Sequence, residues 1–212
     1  MKKIIIITSL MFASYAFASP DKPEANFDYR VINSKPAASY NIPTNKVEVI
    51  EFFSFTCGHC YAFDPSLKQW VEKNKQNIVF KRVAVDFGGV YGRYQKLFYT
   101  LEAMGKLEEL HNKVFDSFHK ENKTIEKDRD LVDFAKDNKL DPKQLLSIYH
   151  SFSVAAKAKQ ANKIVDDYKI DGVPTVLING KYVTSSQMVG GRDEVLKVMT
   201  HLVEISKNSK KK

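Results

Sequence analysis

The stretch Val47-Glu48-Val49-Ile50-Glu51-Phe52-Phe53-Ser54-Phe55 is dense in apolar and β-branched residues and leads directly to Cys57-Gly58-His59-Cys60. A short apolar run bounded by turn residues fits a central strand buried on both faces. Whatever fold forms must therefore hold two cysteines at the end of such a strand. Upstream, Tyr29 to Ile32 reads as a first short strand, followed by a loop through Pro43 and Thr44. Downstream, Tyr61 to Asn74 places Phe63, Leu67, Trp70 and Val71 at helical spacing, with Asp64-Pro65 expected to bend the helix near its beginning. Ile78 to Val85 is strand-like again.

From Phe87-Gly88-Gly89-Val90-Tyr91-Gly92 to about Asp167 the chain reads as helices only. Leu97, Leu101 and Met104 share one face, and Leu110, Val114 and Phe118 another. Thr124 and Asp141-Pro142 look like helix starts, the second with proline at the first helical position. Phe152 to Tyr168 reads as a longer helix. Strand character returns at Thr175 to Ile178, and Asn179-Gly180 is the dipeptide that a two-residue hairpin turn prefers, so Tyr182-Val183-Thr184 should run antiparallel to it. After Gly190-Gly191-Arg192 a closing amphipathic helix carries Val195, Leu196, Met199, Leu202 and Val203. This order predicts an α/β domain interrupted by a helical insertion.

The first residues bear on where the cysteines work. Met1-Lys2-Lys3, an apolar run from Ile4 to Phe17 and Ala16-Phe17-Ala18 before Ser19 follow the order of a cleavable signal peptide, with residues 1–18 removed. No later stretch approaches the roughly 20 apolar residues of a membrane helix, so a soluble exported protein is expected, periplasmic in a Gram-negative cell. The formal charge of +8 includes Lys2 and Lys3 of that segment and the basic tail Lys207 to Lys212. No basic face interleaved with aromatics is evident, which argues against nucleic acid as a partner.

Exported proteins meet oxidising conditions, where cysteines usually bridge distant segments. The chain's 2 cysteines instead enclose a loop so short that cross-linking it removes little unfolded-chain entropy. Chemistry explains the pair better. At the junction of a buried strand and a helix, free backbone N–H groups and the positive helix end favour a thiolate at Cys57, and Cys60 lies one turn on, placed to resolve a mixed disulfide. His59 between them can donate to the Cys57 sulfur or stabilise its charge. A zinc site would want a second pair of ligands, and His111, His119, His150 and His201 show no metal spacing, so each reads as a surface or packing residue. Covalent haem attachment would want histidine where Tyr61 stands.

Glu51-Phe52-Phe53-Ser54-Phe55-Thr56-Cys57-Gly58-His59-Cys60-Tyr61, with Gly172-Val173-Pro174-Thr175 near the end and a helical block between, resembles the periplasmic disulfide oxidase family called DsbA. The resemblance covers essentially the whole exported chain. It implies a thioredoxin fold interrupted by an inserted all-helical domain, divided as residues 19–88 and 168–212 for the thioredoxin-like part and 89–167 for the insertion. It implies Cys57 as nucleophile, Cys60 as resolving cysteine and His59 as modulator. It also makes Pro174 the cis-proline facing the pair, with the Val173 backbone free to pair with an extended peptide.

Glu51 is the remaining marked position. A carboxylate inside an apolar strand loses solvation unless paired, and a raised pKa would let it exchange protons with Cys60. Lys81 and Arg82 on the next strand are its candidate partners, with Arg82 favoured. Asp64 falls where the family also has an acidic residue and can equally be a surface charge. Gly58 departs from the pattern: the best-known members carry proline there, and Gly-His resembles eukaryotic protein disulfide isomerase.

The activity expected is dithiol oxidation without a cofactor. Its substrates would be reduced or unfolded exported proteins, and a membrane quinone-linked partner of the DsbB type would reoxidise the pair. Competing readings are a disulfide isomerase or reductase, for which residues 19–46 are too few to form a dimerisation domain, and a peptide-binding chaperone using the groove at Pro174. Nothing in the sequence calls for a dimer.

Overall fold

A computed structural model describes residues 22–32 and 42–209. The proposed signal segment and the Pro36 loop lie outside the described residues. The elements are β1 (Arg30–Val31), β2 (Val47–Phe53), α1 (Gly58–Asn74), β3 (Ile78–Ala84), α2 (Val90–Ala103), α3 (Leu107–His119), α4 (Asp128–Asp137), α5 (Pro142–Tyr149), α6 (Phe152–Asp167), β4 (Thr175–Ile178), β5 (Tyr182–Ser185), α7 (Ser186–Val189) and α8 (Arg192–Ser209). The strands form one sheet in the order β1-β5-β4-β2-β3. β2 and β3 are parallel, whereas β4 runs antiparallel to both β2 and β5. This is the thioredoxin-like α/β fold, with helices α2 to α6 inserted between β3 and β4.

Every residue of β2 is buried, because the strand is paired on both sides and covered on both faces. Alternate side chains of a strand point to opposite faces, and they enter two different cores. Val47, Val49, Val176 and Ile178 pack with Phe63, Leu67 and Trp70 of α1 and with Val198, Met199 and Leu202 of α8. Ile50, Phe52, Val83 and Leu177 belong to the second core, which continues through Leu97, Phe98 and Leu101 of α2 and Val165 of α6.

Local signals account for most boundaries. Asn179 and Gly180 both adopt positive φ, 54° and 61°, as a type I′ turn requires, and Lys181 N–H closes the turn on Ile178 O at 3.0 Å. Asp141 caps α5 by accepting from Lys143 N–H, with Pro142 in the first turn. Three readings change. Helix α1 begins at Gly58, not Tyr61, so Cys57 caps it and Cys60 lies in its first turn. Thr124 starts no helix; α4 begins at Asp128, because the Asp130 carboxylate, not a threonine hydroxyl, takes the backbone N–H groups of Glu126 and Lys127. The short helix α7, capped by Ser185, was not anticipated.

Candidate active site

Cys57 is the N-cap of α1. Its backbone is extended (φ −89°, ψ 115°), which turns Sγ back over the first turn, where it accepts from Cys60 N–H at 3.3 Å. A free helix end offers donors and positive potential to such an atom. Both cysteines are free thiols here; Cys57 is half-buried and Cys60 fully buried. The Cys60 side chain hydrogen-bonds to Cys57, and this is the largest influence bringing the Cys57 thiol down from 9.0 to about 6, helped by the N–H groups of Cys60 and His59 and the charge of His59 against the opposing effect of burial. Burial, and then the neighbouring sulfur, push the Cys60 thiol far up. Two identical side chains are thus driven apart, one towards thiolate and one towards thiol.

The segment before β4 returns the chain to this point. The Val173–Pro174 peptide bond is cis, and Val173 O lies 3.4 Å from Cys57 Sγ, where it accepts from the protonated thiol. His59, Ala62, Val173, Pro174, Gln187 and Arg192 line a cleft of about 770 Å³ beside the pair. Arg192 Nη1 donates to Ala62 O at 2.7 Å, in the part of α1 where Pro65 removes a backbone donor. Gly58 is exposed, and open space lies where its Cβ would stand, so packing places no demand for glycine there.

Beneath the pair lies a buried charge cluster. Glu51 is directly paired in register with Arg82, and parallel in-register neighbours share a face. Arg82 Nε donates to Glu51 Oε2 at 2.8 Å. Lys81, one residue away and therefore on the opposite face, pairs with Glu48. Glu51 is 1% exposed. Burial raises its carboxyl, the Arg82 charge and hydrogen bond oppose that, and the balance stands at about 7. Asp64 is not a surface charge: it is 5% exposed, because the i, i+4 spacing from Cys60 points it to the same inner side of α1. Its Oδ1 accepts from Arg82 Nη2 at 2.9 Å and from His111 Nε2 at 3.1 Å, and Lys68 Nζ lies 2.8 Å from Oδ2. Burial works to raise Asp64, but the hydrogen bonds from His111 and Lys68 and the charge of Arg82 outweigh it and hold the carboxyl down at about 2.

Two histidines read from sequence as surface or packing residues therefore touch the site. His111 enters the cluster from α3. His119 Nε2 donates to Phe55 O at 2.9 Å, and its ring stacks on Tyr61 at 4.8 Å. The Asp64 signal was present in the helical spacing from Cys60. Neither histidine carried one, since α3 meets α1 only through the tertiary fold.

Comparisons with known proteins agree with this geometry. Residues 48–202 match the family described as the DSBA-like thioredoxin domain. The chain is 34% identical to the thiol:disulfide interchange protein DsbA of Pseudomonas aeruginosa over 100% of both chains. It is 38% identical to that of Burkholderia cepacia, covering 96% of this chain and 97% of the relative. The crystal structure of the Pseudomonas aeruginosa protein superposes with a TM-score of 0.84 at 35% identity, covering 91% of this chain and 99% of the other.

Proposed function

Because this chain belongs to the DsbA family of thiol:disulfide oxidoreductases, we propose that it oxidises reduced exported proteins through Cys57 as nucleophile and Cys60 as resolving thiol. In the oxidised enzyme a substrate thiolate attacks Cys57 Sγ, the Cys57–Cys60 bond breaks, and Cys60 leaves with the electron pair and takes a proton. A second substrate thiolate attacks the substrate sulfur of the mixed disulfide. Cys57 departs as a thiolate, the substrate carries the new disulfide, and the enzyme holds both electrons as a dithiol. A leaving thiolate of low pKa departs faster, and this is the property that makes Cys57 a donor of its disulfide.

The observation that carries the reading is the opposed environment of the two sulfurs: Cys57 at the helix end with the Cys60 N–H 3.3 Å away, and Cys60 buried behind it. Glu51, near neutral in its pKa, is the group we assign to exchange the Cys60 proton, with Arg82 tuning it. His59 modulates the Cys57 charge. Val173 and Pro174 hold an extended substrate segment beside Cys57. We assign residues 19–88 and 168–212 to the thioredoxin-like part and 89–167 to the insertion. Export to the periplasm and reoxidation by a membrane quinone-linked protein of the DsbB type complete the cycle. Among the described residues no helix is long and apolar enough to cross a membrane.

The test is the reduction potential against glutathione, together with oxidation of a reduced unfolded protein by the Cys57→Ser variant. An oxidase should stand well above thioredoxin's potential of about −270 mV, and the variant should be inactive. A potential near that of thioredoxin would favour a reductase instead. Full oxidation by the variant would refute Cys57 as the nucleophile, and folding assistance that persists without oxidation would point to a peptide-binding role.

A further inference from the structure

His111 is 2% exposed and lies among three aromatic rings, with centroids 5.5 Å from Phe53, 5.1 Å from Phe55 and 5.1 Å from Phe115. A phenylalanine or leucine would suit such a nest. An imidazole buried there loses solvation at both nitrogens, and its Nδ1 finds no partner among the described residues. Only Nε2 is satisfied, at 3.1 Å from Asp64 Oδ1.

An ionised carboxylate accepts only, so the Nε2–H tautomer of His111 must be the donor. The charged and titratable groups facing it are Asp64 and Lys68 of α1, Arg82 of β3 and, beyond Arg82, Glu51 of β2. Burial lowers the pKa of His111 below its ordinary 6.5, with the Asp64 hydrogen bond opposing, so the ring is neutral at physiological pH. Oδ1 of Asp64 therefore takes donors from both His111 and Arg82, and Oδ2 is occupied by Lys68. The carboxylate is held by three donors from three elements. The Arg82 guanidinium is held in turn between Asp64 and Glu51 and lies over the Phe80 ring at 5.0 Å.

We propose that His111 is a positioning residue for Glu51: its Nε2–H fixes Asp64, Asp64 fixes Arg82 against Glu51, and the helical block thereby sets the protonation of the carboxyl behind Cys60. The proposal rests on the reading that Glu51 exchanges the Cys60 proton, and it extends that reading to a residue of α3 that touches neither sulfur. Without the donor, Asp64 loses one of its three bonds and has a void to move into. Arg82 follows it, and Glu51 loses part of the cationic field that opposes the effect of burial.

The experiment follows the Glu51 carboxyl carbon by NMR through a pH titration of the reduced protein, assigned with Glu51→Gln, in wild type, His111→Leu and His111→Gln. His111→Leu should move the Glu51 midpoint upward by about half a pH unit or more. His111→Gln, whose amide can donate from the place of Nε2, should stay with wild type. Should the leucine variant not fold, His111→Asn takes its place, since its amide is too short to reach Asp64. A folded leucine or asparagine variant that titrates with wild type would overturn the proposal, and lowered stability alone would mark His111 as packing. The thiol-exchange rate of Glu51→Gln against pH keeps the two ideas apart. If that profile matches wild type while the midpoint still moves in His111→Leu, the proton-exchange reading fails and the positioning role stands.

Discussion

Replacing Cys60 by alanine should raise the Cys57 pKa from about 6 to roughly 7 to 8, because the largest influence holding the thiol down is the Cys60 side chain itself. Keeping a thiol near 6 instead of 9.0 corresponds to about 4 kcal/mol, which solvent screening at a half-buried sulfur reduces to roughly 2–3 kcal/mol. A hydrogen bond to a charged group contributes roughly 1.5–3 kcal/mol when well sheltered, so losing the Cys60 S–H should remove most of that total, which is the rise of roughly 1 to 2 pH units expected. The Cys60 N–H remains, as do the N–H and charge of His59, and they should keep the thiol below 9.0. The assay is the ultraviolet absorbance of the thiolate, followed through a pH titration of reduced wild type and Cys60→Ala.

The sign of the accompanying stability change is fixed. The folded-state pKa lies below the unfolded one, so the thiolate contribution to the reduced protein is complete above about pH 9 and is lost as pH falls through about 6. In the variant the loss should already occur between about pH 7 and 8, which urea unfolding at a series of pH values would report. A midpoint that stays at 6 would mean the helix end and His59 act alone. A wild-type midpoint near 9 would refute the activated-nucleophile argument entirely.

Two further substitutions probe the surroundings. Gly58→Pro should stabilise the protein by about 0.4–1 kcal/mol in urea unfolding: Gly58 is the first residue of α1 with open space at its Cβ position, and Cys57 already has the extended backbone that precedes proline. A loss of stability would show that the glycine is required. Arg82→Met should destabilise by about 3–5 kcal/mol at pH 8, since it strands the Glu51 carboxylate, whose side chain is only 2% exposed, and takes one of three partners from Asp64, whose side chain is 6% exposed. Part of that loss should be recovered as pH falls and Glu51 takes up a proton, beginning above the wild-type midpoint of about 7 because the Arg82 charge no longer opposes the effect of burial; a pH-independent loss would mean that the charges are not what Arg82 holds.

The local patterns in the sequence reached far. Short apolar and β-branched runs placed the strands and period-3.6 spacing most helices, Asn179-Gly180 forced a positive-φ turn, and Asp141-Pro142 capped a helix, because each of these depends on residues close in the chain. The strand ending on Cys57-Gly58-His59-Cys60 carried the redox pair for the same reason. Glu51 was legible as an anomaly, a charge inside an apolar strand. What the chain could not announce was contact between distant segments. Counting along the strands favoured Arg82 over Lys81 as the partner of Glu51, but only the in-register pairing of β2 with β3 fixed it there. The crossing of α3 over α1 brought His111 onto Asp64, and the return of the chain before β4 set Val173 O 3.4 Å from Cys57 Sγ. Periodicity tells which side of an element faces inward; it does not tell which element waits there, and a buried proton's fate depends on that neighbour.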